Sequence, residues 1–560
     1  MKRQLLALVP LAALVGVALW FARQVREAPP RAPRPVTHAG QAERTAPPGI
    51  RKAVTALAAR VAAPEPSPRK GETSVQTNGA AQAAELFLPG EVVIRLDDNA
   101  VMNDIEQALT ALGATLIGRA DALRLYRVKL PEGMTVPDGL KAVAGINGVT
   151  ESMRNNRTAL PKDVGDLPLR DSGEPLVPVG ATGRALVKAD DPTTAHAYGE
   201  NVLVALLDTG VDAAHPDLSG RVLNGYNFIE GSMDTHDVQG HGTACAGIIS
   251  GAKGVAPQSY VLPVRVMDET GHGNEFAVVE GILYALDRGA KVISFSIGTY
   301  GDSPMLHDAI AYAEKKGAVV VAASGNDGYD HTFMPAGYPE VLCVGAVDAD
   351  MVRAPFSNYG EALDLVAPGV AVNSLAPKAG YVRVSGTSAA APFVAGALAA
   401  LIAQNIYMTP AELRARLLDT ADNLGPAGRD DETGAGMLDL ERALRRTTDR
   451  VNDIALTTLY VTPSSFKPGD RVTVHYVIQN QGTHDLHGAA LTTQIGGDER
   501  EESLSTLVPG ECRDIERPWT VPQSLPKDDM VIKGWATIRE ADAKPHNNGR
   551  GLVIGPALWK

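Results

Sequence analysis

The stretch VSGTSAAAPFVAG at residues 384–396 decides the fold of this chain. A Gly-Thr-Ser turn leads directly into a helix of almost only Ala, Gly, Leu and Val, which we expect to end near Ala403. Because such a helix has no polar face, it should lie buried in the middle of a large domain. Ser388 stands at its N-terminal end, where unpaired N–H groups and the helix dipole favour negative charge. Ser388 is therefore either a cap of the helix or a nucleophile whose oxyanion is held by a backbone N–H.

Length and composition limit the class of protein. The 560 residues suggest roughly three or four domains. A hydrophobic content of 44% with 21% charged residues is typical of globular proteins, and 56 glycines with few aromatic residues predict a tightly packed α/β core. The three cysteines are far apart and odd in number, so no disulfide framework is indicated. The net charge is −13, and we expect no nucleic-acid partner.

The N-terminus has a short basic start followed by an apolar run of 18 residues at positions 5–22. This run is just long enough to cross a bilayer and is long for the core of a signal peptide. Residues 1–22 are therefore a signal anchor or a signal peptide, and we favour the anchor. Arginines at positions 23, 26, 31 and 34 argue against export of the downstream chain, whereas the later domains favour export.

Residues 23–84 are rich in Ala, Pro, Arg, Gln and Thr, with nine prolines between Pro29 and Pro68. Such a segment cannot bury enough apolar surface to order itself, so we predict a disordered linker. Between Arg23 and Lys70 it carries ten Lys or Arg against three Asp or Glu. That positive charge suits an anionic lipid surface as well as water, and it leaves membrane anchoring open.

Residues 85–157 predict a small α+β unit. Its strands and two helices follow the order β-α-β-β-α-β, with strands at residues 91–96 and 123–130 and a helix at 104–112. Residues 158–191 return to Pro, Gly and Asp and predict a second flexible linker. The order of elements alone says nothing about function.

The longest domain is predicted over residues 192–446. Its strands are near-continuous apolar runs at 202–207, 260–266, 291–296 and 318–323. Runs of this kind belong to a parallel sheet covered on both faces, for which helices at 275–287 and 304–315 supply the crossovers. In such sheets, sites form beyond the C-terminal ends of the strands.

Four residue types needed for nucleophilic catalysis stand at such ends. Asp208 ends the first strand, His241 opens a helix, Asn326 follows a strand, and Ser388 begins the apolar helix. A serine nucleophile needs a base, a carboxylate that holds the base, and donors for the oxyanion. Each residue alone could serve as a cap or a turn residue, but the four in this order indicate catalysis.

Three motifs carry a family resemblance. Asp208-Thr209-Gly210, His241-Gly242-Thr243 and the GTSAAAP stretch at 386–392 resemble the active-site motifs of subtilisin-like serine proteases, in the same order. The resemblance implies a doubly wound α/β/α domain and peptide-bond hydrolysis through an acyl-enzyme. It assigns orientation of the base to Asp208, general base and acid catalysis to His241, and nucleophilic attack to Ser388.

The same resemblance extends to the surroundings of the triad. Asn326 and Ser388 would supply the oxyanion donors. The segment that would pair with a substrate peptide comprises Ser294, Phe295, Ser296, Ile297 and Gly298. No cofactor is expected. Calcium-dependent relatives bind the ion with an aspartate that matches Asp217, but the partner loop is too short here, and we do not predict that site.

The resemblance also gives residues 85–157 a role as an inhibitory prodomain. We expect the chain to cut itself between Asn155 and Asp191, and the freed unit to stay bound as an inhibitor. The substrates would be proteins or peptides. The protein would work outside the cytoplasm of a bacterium, as a periplasmic, membrane-anchored or secreted enzyme.

Residues 452–560 predict an all-β domain. The strand at 471–478 places four apolar residues on one face, and Asn- and Gly-rich turns come after it. The pattern resembles the CARDB-like immunoglobulin-fold domains of bacterial surface proteins and indicates a binding or spacing module with an unknown ligand. The alternative function is a catalytically silent protein that binds through this domain.

Overall fold

A computed structural model describes residues 86–162, 164, 181–190, 198–299, 301–445, 450–523 and 530–554 of the protein. The predicted signal segment at residues 1–22 and almost all of the residues between 163 and 180 lie outside the described residues, as does the basic linker at 23–84.

The first folded unit has the predicted order of strands and helices. Its sheet has the order β2-β3-β1-β4 and packs its apolar face against both helices. Its second helix begins after Thr135, whose side chain accepts the N–H of Asp138, with a proline in the first turn. The elements are β1 (Phe87–Leu96), α1 (Met102–Ala111), β2 (Thr115–Ala120), β3 (Leu125–Lys129), α2 (Val136–Ala144) and β4 (Val149–Ala159).

The second unit is built on a parallel sheet of seven strands, flanked by helices as predicted. Its elements are α3 (Ala181–Leu186), β5 (Leu203–Asp208), β6 (Tyr226–Asn227), α4 (His241–Ser250), β7 (Tyr260–Arg265), β8 (His272–Asn274), α5 (Glu275–Asp287), β9 (Val292–Phe295), α6 (Pro304–Lys315), β10 (Val319–Ala323), β11 (Val341–Val347), β12 (Leu365–Pro368), β13 (Val372–Ala376), β14 (Gly380–Val384), α7 (Thr387–Gln404), α8 (Pro410–Asp419) and α9 (Leu440–Leu444). The strand order is β12-β11-β10-β9-β5-β7-β6, so β10, β9 and β5 are neighbours at the centre.

The apolar helix α7 lies in the core of this unit, which confirms the expectation from its composition. Fifteen of its 18 residues are buried. Among the described residues it is also the one helix that is long and apolar enough to cross a membrane, but 83% of that span is buried inside the protein. It is therefore a core helix.

The interpretation of Ser388 as the helix cap is wrong. The N-cap is Gly386, and Ser388 is the second residue of the helix. Gly386 has φ +145°, in a region that residues with a side chain rarely adopt. Gly386 has no side chain, so no side-chain capping bond is made at the start of this helix.

The linker predicted over residues 158–191 needs correction. Strand β4 runs on to Ala159, and residues 181–190 are folded against the second unit. Val187 is fully buried, and the ammonium of Lys188 pairs with Asp422 at 2.6 Å and with Asp439. The domain predicted to start at residue 192 therefore starts by residue 181. Local composition hid this because both acidic partners lie more than 200 residues away in sequence.

The C-terminal region is all-β, as predicted. Strands β15 (Ile454–Thr462), β16 (Arg471–Asn480) and β19 (Cys512–Thr520) form one antiparallel sheet, and β17 (Ala490–Ile495), β18 (Asp498–Ser503), β20 (Met530–Thr537) and β21 (Gly549–Ile554) form another. Apolar residues of both sheets share one core. The alternating residues of β16, from Val472 to Ile478, are buried in it. The immunoglobulin-like assignment stays a prediction.

Buried charges join this region to the second unit. Glu441 of α9 is 3% exposed and pairs with Arg445 at 2.6 Å and with Lys544 at 2.5 Å. Arg445 in turn reaches the buried Asp453 at 3.4 Å. Because each charge depends on a partner from the other side, the sheets are part of the same folded body as α9.

Candidate active site

Asp208 and His241 form a hydrogen-bonded pair. Asp208 is the last residue of β5 and is fully buried, while His241 is the first residue of α4 and is partly exposed. His241 Nδ1 lies 2.8 Å from Asp208 Oδ1 and 3.0 Å from Oδ2. Such a carboxylate holds the ring proton on Nδ1 and leaves Nε2 free to accept a proton.

The electrostatics of this pair suit a base. Burial by itself lowers the pKa of His241, but the negative charge of Asp208 outweighs it and raises that pKa well above its ordinary value. A carboxylate that stabilises the imidazolium makes the ring a stronger acceptor for a serine proton.

Ser388 and Asn326 meet at the N-terminus of α7. A Cβ atom added at Gly386 would lie 3.0 Å from Asn326 Nδ2 and 3.1 Å from Ser388 Oγ, so only glycine leaves room for both polar atoms. Ser388 is partly exposed although its neighbours Thr387 and Ala389 are buried. Its backbone N–H belongs to the first turn, where intrahelical acceptors are lacking.

Asn326 is oriented by the residue before the serine. Its Oδ1 accepts hydrogen bonds from the backbone N–H and the hydroxyl of Thr387, both at 2.9 Å. Because an N–H can only donate, the amide oxygen must face Thr387 and Nδ2 must face the cleft. Nδ2 donates to the backbone carbonyl oxygen of Lys162 at 3.0 Å.

The cleft is occupied by the chain's own residues 157–162. Strand β4 pairs antiparallel with β8, with Thr158 opposite Gly273. On the other side, Ala159 and Gly298 exchange backbone hydrogen bonds of 3.1 and 3.3 Å. Leu160 N–H donates to Gly271 O at 3.0 Å. An extended peptide thus enters as an added strand and brings the Lys162 carbonyl to Asn326.

The five residues predicted to contact substrate occupy different positions. Ser294 and Phe295 are buried inside β9, and Ile297 is 2% exposed. Ser296 donates its hydroxyl to the Ser388 carbonyl oxygen at 3.2 Å. Gly298 makes the backbone pairing with the cleft peptide.

Sequence reasoning missed two residues of this site. Asp237 is fully buried and accepts hydrogen bonds from Thr209, which follows Asp208, and from Gly240, which precedes His241. Thr387 orients Asn326. Thr387 stands inside a recognised motif, but Asp237 lies in a polar loop with nothing local to distinguish it from the other acidic residues there.

Cys245 lies behind the imidazole, one helical turn after His241, as its spacing predicts. Its Sγ is 3.8 Å from His241 Nδ1 and 3.4 Å from the Ser388 carbonyl oxygen. Burial raises the pKa of the thiol, which keeps it protonated and poorly nucleophilic. The ligand atoms of Asp208, His241 and Cys245 lie within 4.8 Å of one another, a spacing that a soft metal ion could bridge.

Comparisons with known proteins agree on one family. The subtilase family model matches residues 199–436, and the fervidolysin N-terminal prodomain model matches residues 73–150. The chain is 35% identical over 365 residues to the thermophilic serine proteinase of Bacillus sp. (strain AK1), covering 61% of this chain and 84% of that protein. It is 41% identical over 240 residues to thermitase of Thermoactinomyces vulgaris, covering 41% and 85%.

The fold has a solved counterpart. The crystal structure of fervidolysin from Fervidobacterium pennivorans, described as a keratinolytic enzyme related to subtilisin, superposes with a TM-score of 0.58 over 86% of this chain and 77% of that one. At 23% sequence identity this likeness concerns the fold.

The position of Asn326 predicts a kinetic effect. Asn326→Ala should lower kcat by about 10²–10³ with little change in KM, because the lost donor acts mainly on the oxyanion of the transition state. Asn423→Ala, which removes another buried amide in the loop after α8, serves as the control and should keep kcat. Steady-state kinetics on a peptide substrate would decide, and an unchanged kcat in Asn326→Ala would show that another group holds the oxyanion.

The position of Cys245 predicts selective sensitivity to mercury. Mercury reagents should inhibit the wild type, whereas Cys245→Ala should stay active and become resistant, because the thiol is next to the base without taking part in bond cleavage. Cys343→Ala removes a second buried thiol, in β11, and should remain sensitive. A folded but inactive Cys245→Ala would instead give the thiol a catalytic role.

Proposed function

The chain belongs to the subtilase family of serine peptidases, and on that premise we propose that it hydrolyses peptide bonds through an acyl-enzyme built on Ser388. His241 is the base and then the acid, Asp208 orients it, and Asn326 holds the oxyanion. The observation that carries this proposal is the contact between Asn326 Nδ2 and the carbonyl oxygen of Lys162, made by a peptide already paired as a strand in the cleft.

The proposed steps depend on these positions. Ser388 Oγ attacks the peptide carbonyl carbon while its proton passes to His241 Nε2. Negative charge collects on the carbonyl oxygen, where Asn326 Nδ2 and the Ser388 N–H can donate to it. The C–N bond then breaks as His241 returns the proton to the leaving amine. Water, deprotonated by His241, releases the acyl group and restores the serine.

We further propose that the first substrate is the chain itself. The carbonyl at the oxyanion donor is that of Lys162, so the bond presented for cleavage is Lys162–Asp163. This bond lies within the range of residues 155–191 that the sequence suggests. After cleavage, β4 would keep its pairing with β8 and Gly298, so the freed prodomain would still fill the cleft.

Polar contacts beside the cleft support an inhibitory role for the prodomain. Asn155 is fully buried; its Oδ1 accepts the N–H of Phe276 at 3.1 Å, in the first turn of α5. Asn156 Nδ2 donates to Glu275 Oε2 at 3.0 Å. The prodomain thus satisfies donors and acceptors of α5 that would otherwise face solvent.

The remaining assignments rest on the sequence. We propose that the protein works outside the cytoplasm of a bacterium, with residues 1–22 as its anchor or signal peptide, and that it needs no cofactor. The Asp217 carboxylate accepts a hydrogen bond from the Tyr381 hydroxyl at 3.2 Å, and we propose no calcium site there. A ligand of the C-terminal sheets stays a proposal without an identified chemistry.

Self-processing can be tested by comparing the wild type with Ser388→Ala in a protease-deficient host. The wild type should give a fragment ending at Lys162 and a mature form starting at Asp163, whereas Ser388→Ala should remain full length, because only slow residual catalysis survives loss of the nucleophile. Mass spectrometry identifies the new termini. Identical processing of both proteins would mean that another protease cuts. No processing together with no cleavage of peptides would favour the catalytically silent alternative.

We predict that binding of the prodomain to the mature form depends on pH, because two carboxyl groups lie under the prodomain. Burial raises the pKa of Glu275, which also faces Asp302, to about 7, and burial raises that of Glu280, beside Arg119 and Arg127, to about 7. When the prodomain leaves, both groups should return toward the ordinary value near 4.3. The complex therefore binds more protons than its separated parts. The affinity of the prodomain for the mature form should be highest below about pH 4.3 and should fall as pH rises to about 7.

Size-exclusion chromatography of freshly processed protein measures this effect as the fraction of prodomain that co-elutes with the mature form. That fraction should be larger at pH 5 than at pH 8. The double variant Glu275→Gln with Glu280→Gln should flatten the dependence, because the amides do not titrate. A fraction that rises with pH, or an unchanged slope in the double variant, would contradict the assignment.

A further inference from the structure

We propose that Asp237 is a positioning residue that fixes the geometry between Asp208 and His241. This inference rests on the proposed roles of those two residues. Asp237 lies four residues before His241, in the loop that leads into α4, and is 0% exposed. It touches neither the imidazole nor the substrate peptide through any hydrogen bond found among the described residues.

The Asp237 carboxylate accepts four hydrogen bonds. Its Oδ1 accepts the Thr209 hydroxyl at 2.9 Å and the Gly240 N–H at 2.8 Å. Its Oδ2 accepts the Thr243 N–H at 2.8 Å and the Thr243 hydroxyl at 2.6 Å. In the part of the chain that the structure describes, no Lys, Arg or His lies within ion-pair distance of it.

A buried carboxylate without a cation needs another source of stabilisation. Asp237 has it at the N-terminus of α4, where two of its donors are backbone N–H groups and the helix dipole favours negative charge. The two threonine hydroxyls occupy the remaining acceptor positions. Four short hydrogen bonds to the Asp237 carboxylate hold the loop before α4 in one conformation. An aspartate that faced solvent would not do so.

These four hydrogen bonds involve residues close in sequence to Asp208 and His241. Thr209 directly follows Asp208, and Gly240 directly precedes His241. The Thr209 hydroxyl oxygen also accepts the Gly242 N–H at 3.1 Å, which holds the residue after the histidine. The end of β5 and the start of α4 are thereby tied together through Asp237. The 2.8 Å contact between His241 Nδ1 and Asp208 depends on that spacing.

The test is Asp237→Asn, which keeps the shape but places an NH₂ group against two of the four donors. We expect kcat to fall at least about 10-fold with KM within about twofold, since a misaligned base slows the chemical step. The acid limb of the kcat/KM profile should also move to lower pH, because a looser Asp208 contact raises the pKa of His241 less. A structural role alone would move neither quantity in the folded enzyme.

The matched control is Asp364→Asn. Asp364 is another largely buried carboxylate, which accepts the Cys343 N–H at 3.0 Å, away from the triad. The Asp364→Asn substitution should lower the melting temperature and leave kcat and the acid limb of the pH profile unchanged. If Asp237→Asn behaves in the same way, Asp237 only stabilises the fold and the inference is wrong.

A second variant covers the case in which Asp237→Asn does not fold or mature. Thr209→Val keeps the side-chain shape and removes one bond to Asp237 together with the bond from Gly242. In the full-length Ser388→Ala background, the low-field proton resonance of His241 Nδ1–H reports the contact with Asp208 without any need for processing. It should shift upfield in Thr209→Val, and an unchanged resonance would overturn the inference. If that shift occurs while the enzyme with Ser388 intact cleaves no peptide, the positioning role is supported and the proposed function alone fails.

Discussion

Parallel pairing of three neighbouring strands is the constraint on which the site depends. Because β5, β9 and β10 run in the same direction, their C-terminal ends meet at one edge of the sheet. Asp208 ends β5, Gly298 follows β9 and Asn326 follows β10. The helix α7 packs on these strands and brings Ser388 to the same edge. Residues far apart in sequence become neighbours because the hydrogen bonds between the parallel strands fix the relative positions of the strand ends.

A single mode of binding explains both the substrate cleft and its inhibition. The cleft takes up a peptide as an extra strand between β8 and Gly298, with main-chain hydrogen bonds that any sequence can make. The prodomain uses that same mode and adds contacts with α5 through Asn155 and Asn156 that a short peptide lacks. In the function proposed above, inhibition would thus come from a substrate-like strand held by a folded unit outside the cleft.

The sequence predicted the parts whose signals are local. The apolar composition of α7, the strand end at Asp208, the position of Asn326 after a strand, and the helix start at His241 could all be inferred from neighbouring residues. Asp237 could not, because its four donors belong to a fold and not to a pattern. The folded segment around Lys188 escaped for the same reason, since its acidic partners lie more than 200 residues away. Interactions between residues far apart in sequence thus could not be predicted.

The small side chains of α7 also matter before folding. Only five of its 18 residues are Leu, Ile, Phe or Val, at positions 393, 394, 398, 401 and 402; most of the others are Ala or Gly. Strongly apolar side chains each favour insertion into a bilayer by only about 0.3–0.6 kcal/mol, and Pro392 and the polar ends of α7 work against it. For a chain that crosses a membrane unfolded, this composition favours passage over arrest. In an exported chain, the alanines that permit close packing in the finished core would also weaken the tendency of this segment to stay in the lipid.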